Sequence, residues 1–268
     1  MKILNGSELA EFIKERQAKQ VRALRQAHGI APKLAIVRTN ADPAVDSYIN
    51  LKQNYGADIL VDVDVYSVDQ VEAVDTIKSL NADSSVHGII VQVPLADISQ
   101  TDEILNVVAA VKDVDGLGEH AVLDAATPLA IDWLLAGYNI DLRGKQIVIV
   151  GNDRFVGKPL AKRWQLSDLN VTATDRNTEN LSDVTQKADI LICATGVAGL
   201  ITKDMVKPNA VIVDAGAAAD KNGLGDVAAD VRELPDITIT PEKDGVDSLT
   251  VCALFDNVIR AARATIQA

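Results

Sequence analysis

At 268 residues the chain exceeds the roughly 100–200 residues of an ordinary single domain, so two domains with separate cores and a cleft for a small ligand are expected. A formal net charge of −12 opposes a phosphate backbone and leaves no basic run for a nucleic acid to follow, which removes DNA and RNA from the expected partners. No stretch approaches the roughly 20 uninterrupted apolar residues of a membrane-spanning helix, and the opening MKILNGSELAEFIKERQ lacks the apolar core of a secretory signal, so a cytoplasmic location is expected.

Residues 8–27 place Leu9, Phe12, Ile13, Val21 and Leu24 at three- and four-residue spacings among charged side chains, which predicts an amphipathic helix. Runs rich in branched apolar residues follow in KLAIVRT, ILVDVDVYSV and VHGIIVQVPL, with helical stretches around 44–55 and 69–80 between them. Strands that alternate with helices predict parallel βαβ units. A helix ending near Val111 leads into the acidic turn Lys112-Asp-Val-Asp-Gly116, and Thr127-Pro128 opens a further helix over 129–138. The domain boundary is therefore placed near 118–128. Four more strands, QIVIVG, NVTATD, ADILICAT and AVIVDAG, each precede a turn and a helix-compatible segment, the pattern of a doubly wound nucleotide-binding sheet. The final helix, LFDNVIRAARATI, carries an apolar stripe that needs a surface, and packing back on the first domain is expected. The expected domains are thus 1–122 together with 250–268, and 123–249. Cys193 and Cys252 stand in apolar settings without a CxxC or His-rich partner and are read as reduced core residues, with no metal expected.

The first strand of the second half runs into Gly151-Asn-Asp-Arg-Phe-Val-Gly157, where a helix is predicted to begin. A glycine-bearing turn at a helix start brings backbone N–H groups close to a phosphate. The next strand ends at Asp175, twenty-four positions after Gly151, about where an acidic residue accepts from a ribose diol and disfavours a 2′-phosphate. Arg176 follows and can clamp that phosphate instead, so NAD and NADP both remain open. In the first half, Tyr48 and Lys52 are four residues apart on a predicted helix and share one face, where a phenol and an amine can each lower the other's proton affinity. Gln92 is a polar amide within the apolar strand GIIVQVPL, just before Pro94, and its burial demands a partner.

These segments together resemble the methylenetetrahydrofolate dehydrogenase/cyclohydrolase family, whose folate site combines a tyrosine and lysine on one helix, a VQ(L/V)PL strand and a KDVDG turn. The likeness runs from ILNG through LRGKQIVIVG, VGKP, ADILICATG and KPNAVIVDAG to the last helix. It implies an α/β protein of two domains, an N-terminal α/β folate-binding domain and a Rossmann-like doubly wound parallel-sheet domain. It also implies oxidation of 5,10-methylenetetrahydrofolate with NADP, or NAD as the alternative, and hydrolysis of the methenyl product to 10-formyltetrahydrofolate. By the same resemblance Lys52 is the proton-transferring group, Tyr48 positions the substrate, Gln92 tunes Lys52 and Asp115 binds the pterin edge, with Pro94 beside it. The cofactor site takes in Gly151, Asn152, Asp153, Val156, Gly157, Asp175, Arg176, Thr195 and Gly196. A homodimer through the nucleotide domain is implied, and ADILICATG with Val197 and Leu200 is the expected surface.

Several positions depart from the family pattern. Val45 stands where a serine is usual, and Asp46 and Ser47 are the expected compensation. Asn152-Asp153 replaces the arginine-serine of the glycine turn, Asp175-Arg176 replaces a serine-containing turn, and Ala125-Ala126 replaces a proline-cysteine pair. The segment 242–250, EKDGVDSLT, keeps only Gly245, Val246 and Thr250 of a proline- and glycine-rich loop. These changes leave two alternatives open: an NAD-preferring monofunctional dehydrogenase, and a paralogue that binds folate or nucleotide without full turnover.

Overall fold

The computed structural model describes residues 1–216, 225–243 and 245–266. In chain order its principal elements are β1 (Lys2–Ile3), α1 (Gly6–His28), β2 (Lys33–Arg38), α2 (Pro43–Ile59), β3 (Asp62–Ser67), α3 (Gln70–Ala82), β4 (Gly88–Gln92), α4 (Thr101–Leu105), α5 (Ala126–Gly137) and β5 (Ile147–Val150). They continue with α6 (Gly157–Gln165), β6 (Val171–Thr174), α7 (Leu181–Thr185), β7 (Ile190–Cys193), β8 (Val211–Asp214), β9 (Thr238–Ile239) and α8 (Asp247–Ala264). The chain divides into two compact units, one of residues 11–126 and 251–268, the other of 1–10 and 127–250. Among the described residues no helix is long and apolar enough to cross a membrane.

The first of these units holds a three-stranded parallel sheet in the order β3-β2-β4. β2 lies in its middle, and Leu34 to Val37 are all fully buried because helices cover both faces. On one face Ala73, Ile77 and Leu80 of α3 pack with Ala35, Val37, Ile89 and Val91. Toward α8 the fit is close: a Cβ on Gly56 of α2 would stand 3.3 Å from the Phe255 ring, and one on Gly88 of β4 would stand 3.2 Å from Val258. Phe255, Asn257 and Val258 are fully buried. Asn257 donates its amide N–H groups to the carbonyls of Val114 (2.9 Å) and Asp124 (2.8 Å), so the last helix holds both ends of the turn that contains Asp115. The helix expected to end near Val111 stops at Leu105, and 106–111 form turns instead. Asn106 caps the chain further on, its side-chain oxygen accepting from Glu119 N at 2.8 Å.

The second unit is a six-stranded parallel sheet ordered β1-β9-β8-β7-β5-β6. Strands β5 and β7 are buried at every residue. One face packs Val148, Val150, Leu191, Cys193, Ile212 and Ile239 into a continuous core. From β5 the chain moves outward to β6 and then returns to the other side of β5 for β7, so the direction of winding reverses between β5 and β7. Ligands of doubly wound sheets bind beyond the carboxyl ends of the strands at such a point. The terminal strands β1 and β9, two residues each, pair in parallel through Lys2 with Thr238 and Ile3 with Ile239.

Because Asn257 Nδ2 donates to the carbonyls of Val114 and Asp124, Asn257→Ala removes both bonds, at a cost of about 0.5–1.5 kcal/mol for each. The urea midpoint is expected to fall accordingly, and an unchanged midpoint would mean that water replaces the amide without loss.

Candidate active site

Helix α2 presents Tyr48 and Lys52 one turn apart. Lys52 is half-buried, and its Nζ donates to Gln92 Oε1 at 2.7 Å. The orientation of the Gln92 amide is set from the other side, where its Nε2 donates to the Val93 carbonyl at 3.0 Å. Gln92 is the last residue of β4 and is 8% exposed, so the strand end delivers a buried acceptor to the lysine. Burial lowers the proton affinity of Lys52 below its ordinary 10.5, and the charge of Asp115 partly restores it. Tyr48, on the same face of α2, is about half exposed at 49%.

Asp115 is raised from the usual carboxylate range, first by burial, with the Lys52 ammonium opposing the rise and Asp113 adding to it. The two acids of the KDVDG turn have different work. Asp113 is buried and accepts from the backbone N–H groups of Gly116 (2.9 Å) and Gly118 (2.7 Å), which folds the turn around its carboxylate. Residue 116 has a φ of +69°, and a Cβ there would meet Ala125 N at 2.6 Å, so only glycine closes the turn. A parallel bridge between Ile89 and Asp113, with Ile89 N donating to Lys112 O at 2.7 Å, lays the turn along β4. Lys52, Gln92 and Asp115 are thus brought together, and Pro94 follows Gln92 through a cis Val93–Pro94 bond.

The compensation expected at Asp46 and Ser47 does not occur. Asp46 forms an ion pair with Arg38 at the end of β2, and the Ser47 hydroxyl donates to the Pro43 carbonyl at 3.0 Å. Val45 is buried at 3% exposure, so its side chain serves the core where a hydroxyl was expected. Nor does ADILICATG offer a surface for pairing. Its strand β7 is interior to the sheet and buried throughout, while Val197 and Leu200 line a pocket.

That pocket, about 590 Å³, opens beyond the ends of β5 and β7, where the winding reverses. Such a volume suits a drug-sized or nucleotide ligand. Gly151, Asn152, Asp153, Asp175, Arg176 and Thr195 all line it. Val156, Gly157 and Gly196 stand beside the lining residues. The glycines are demanded by close approach: a Cβ on Gly151 would lie 2.1 Å from Ala194 O, and one on Gly157 would lie 1.9 Å from Gly151 O. A backbone cradle that a side chain would fill fits a dinucleotide. Asp153 Oδ1 accepts from Phe155 N and Val156 N, both at 2.7 Å, and so spends its charge on the turn before α6. Asp175 does likewise, with Oδ1 accepting from Asn177 N (2.9 Å) and Thr178 Oγ1 (3.3 Å). Among the described residues, Arg176 is the one basic residue lining the pocket.

Three participants escaped the sequence reading: Asn257, which holds the KDVDG turn; Thr178, which lines the pocket; and Asp226, which accepts from Thr195 N at 2.5 Å. Asn257 carried a usable signal, a polar amide within the apolar stripe of the last helix. The segment 242–250 divides: Asp244 lies outside the described residues, and Asp247–Thr250 form the first turn of α8, with Thr250 N donating to Val246 O at 2.9 Å.

The tetrahydrofolate dehydrogenase/cyclohydrolase catalytic-domain model matches residues 4–115, and the NAD(P)-binding-domain model of the same family matches 125–266. Bifunctional protein FolD of Sulfurovum sp. is 36% identical over 284 residues, covering 98% of this chain and 99% of the relative. That of Geobacillus kaustophilus is 36% identical over 278 residues, covering 97% of each. Among solved structures, the bifunctional enzyme FolD-methylenetetrahydrofolate dehydrogenase/cyclohydrolase of Campylobacter jejuni superposes with a TM-score of 0.93 at 33% identity, covering 99% of each chain. With both family models matched and relatives above 30% identity over nearly the whole length, the chain belongs to the tetrahydrofolate dehydrogenase/cyclohydrolase family.

Proposed function

We propose that the protein oxidises 5,10-methylenetetrahydrofolate to 5,10-methenyltetrahydrofolate with NAD(P)+ and hydrolyses the methenyl product to 10-formyltetrahydrofolate. The observation that carries the reading is the 2.7 Å bond from Lys52 to Gln92 in a desolvated setting beside Asp115. An amine whose proton affinity is lowered by burial is the base that hydration of a methenyl cation requires, because it can take a proton from the attacking water. Gln92 Oε1 accepts from the ammonium that results, and the Val93 carbonyl keeps the amide from turning its nitrogen toward it. Asp115 holds the pterin edge through charge-assisted bonds, and Tyr48 and Pro94 bound the substrate. A retained base with its acceptor supports turnover over a binding-only paralogue.

When bound, NAD(P) supplies the hydride acceptor for the oxidation. The chain's own contribution would be to hold it: the Gly151–Gly157 turn would admit the phosphates and Arg176 would meet the adenosine end, with Thr195 lining the pocket and Gly196 beside it. The domain division we assign is a folate-binding part of 1–122 with the last helix and a nucleotide-binding part of 123–249, except that residues 1–10, whose β1 pairs with β9, go with the nucleotide-binding part. We also assign a cytoplasmic homodimer. Strand β6 is the edge of the six-stranded sheet, and its outer backbone groups offer the contact that interior β7 cannot. A sedimentation mass of two chains at micromolar concentration is expected, and a single-chain mass would remove the dimer.

Replacing Lys52 with Met keeps the stem and removes the amine, so hydrolysis of the methenyl compound should fall by about 10²-fold or more in a folded protein. Near wild-type hydrolysis would take Lys52 out of the mechanism.

The Asp115→Asn variant tests two roles at once. Folate affinity should weaken by about 1.5–3 kcal/mol, as for hydrogen bonds to a charged group, with nucleotide affinity unchanged. Hydrolysis needs neutral Lys52 and so rises with pH through its pKa; because Asp115 raises that pKa, its removal should move the rising limb to lower pH. A limb that stays in place, or equal loss of both ligands, would leave Asp115 a part of the turn alone.

Cofactor choice follows from the same pocket. Asp153 and Asp175 are both engaged by their own turns, which moderates their opposition to a 2′-phosphate and leaves Arg176 to favour it. NADP and NAD should therefore both serve, with a weak preference between them. In kcat/KM measurements Arg176→Ala should shift the ratio toward NAD by about 10-fold, the scale of one charge-assisted bond, and Asp175→Ser should shift it modestly toward NADP. A ratio indifferent to Arg176 would place the adenosine phosphate elsewhere.

A further inference from the structure

Behind the wall of the nucleotide pocket lie two carboxylates, neither of them a family site residue in the reading above. Asp214 ends β8 and accepts from the backbone N–H groups of Gly216, Asp226 and Val227, each at 3.1 Å. That draws residues 225–228 alongside 199–201, where Gly199 N donates to Gly225 O (3.0 Å), Ile201 N to Asp226 O (3.0 Å) and Ala228 N to Ile201 O (2.8 Å). Asp226 is fully buried at the centre of this small ladder. Its Oδ2 accepts two bonds from one residue, Thr195 N at 2.5 Å and Thr195 Oγ1 at 2.9 Å. The hydroxyl in turn accepts from Val197 N at 3.1 Å. Both Thr195 and Val197 line the pocket. The approach is tight enough that a Cβ on Gly216 would stand 2.0 Å from Asp226 Oδ1, and one on Gly225 would stand 2.3 Å from Asp214 Oδ2.

We propose that Asp226 is a positioning residue for cofactor binding, its buried carboxylate fixing the Thr195–Val197 turn as one wall of the nucleotide pocket. The proposal rests on the nucleotide-binding half of the function proposed above. A turn at the carboxyl end of a parallel strand has its N–H groups pointing away from the ladder, and nothing in β7 itself orders them. One buried acceptor that takes both the amide and the hydroxyl of Thr195 removes the alternatives open to that turn, because leaving either donor unpaired in a dry interior is costly. Asp214 supplies the frame by holding the backbone of Asp226 itself. The wall is thereby ordered before the cofactor arrives, so binding does not have to order it.

The two activities of one chain make the test internal. Both Thr195 bonds end on a single oxygen, so Asp226→Asn can keep them through its amide oxygen, whereas Asp226→Ala has no acceptor and Asp226→Ser has a hydroxyl too short to reach. Dissociation constants for NAD and NADP are measured by titration on the full chain, beside methenyl hydrolysis without nucleotide. The expected result is that alanine and serine weaken both nucleotides by about 10-fold or more, asparagine binds within a few-fold of the unaltered protein, and hydrolysis is kept in all three. Nucleotide binding undiminished in the alanine and serine variants would overturn the proposal. So would loss of hydrolysis together with binding, which would make Asp226 a support of the whole fold. Failure of the unaltered protein to bind either nucleotide would instead sink the functional reading on which the proposal stands.

Discussion

The ammonium of Lys52 has to be taken out of water, and the arrangement of its whole unit follows from how that cost is met. A lysine on an exposed helix face would stay charged and hydrated. Here α2 lies against a three-stranded sheet, so the side chain ends among strand ends and the KDVDG turn, where burial favours the neutral amine and one carboxylate restrains the shift. A single amide oxygen at 2.7 Å then serves the charged form when it arises. Each of these partners is itself held: Gln92 by the Val93 carbonyl, and the turn by Asp113 within and by Asn257 from the last helix. Four separate stretches of chain thus converge on one nitrogen, and the tertiary fold at this point keeps them within its reach.

The acidity of the chain takes on a physical sense in the same terms. A formal charge of −12 suggests a solvated surface, yet many of these carboxylates act as acceptors for backbone N–H groups at tight turns. Asp113 does so in the KDVDG turn, Asp214 after β8, Asp153 before α6 and Asp175 after β6. An aspartate used this way replaces water at a turn that cannot pair its own amides, and it stiffens the loop at the carboxyl end of a strand. Loops at that end carry function in parallel sheets, so stiffness there is an asset for binding. The cost is electrostatic. A pocket framed by aspartates is a poor host for an anionic cofactor unless their charge is shared with backbone donors, and it is so shared at Asp153 and Asp175.

Much of this was legible in the sequence, and the reasons differ by element. Strands β2, β4, β5, β7 and β8 announce themselves as runs of branched apolar residues because a parallel sheet covered on both faces has no polar side to interrupt them. That same property misled the reading of ADILICATG: a buried central strand and an exposed apolar interface have the same composition, and only sheet order separates them. Strands β1 and β9, two residues each, are too short for any periodicity to reveal. Lys52, Gln92 and Asp115 were identifiable as a group because their motifs resemble those of a family, since residues 40 and 23 positions apart have no local signal that joins them. Asp46 and Ser47 show the limit of proximity in sequence. They adjoin the site along the helix, but an α-helix turns 100° per residue, and their side chains find Arg38 and the Pro43 carbonyl instead. Asp175 stands at the expected distance from the glycine turn and lines the pocket, with its Oδ1 also bonded within its own loop, a contact that spacing does not show.

The departures from the family pattern fall unevenly, and the two steps of the proposed reaction respond to them differently. Under the roles proposed, hydration of a methenyl cation asks for a desolvated base, its acceptor and a carboxylate for the pterin, and Lys52, Gln92 and Asp115 stand together in one unit. Oxidation asks in addition for a bound nucleotide, and the changes at Asn152, Asp153, Asp175 and 242–250 concentrate in that part of the chain. Altered binding of the cofactor acts on oxidation through affinity and alignment, both graded quantities, whereas loss of a base abolishes a proton transfer outright. Divergence on the nucleotide side can therefore retune which cofactor is used, and how tightly, while the hydrolytic step persists. That asymmetry accounts for a chain in which folate residues are kept and cofactor residues vary, without requiring that either activity be lost.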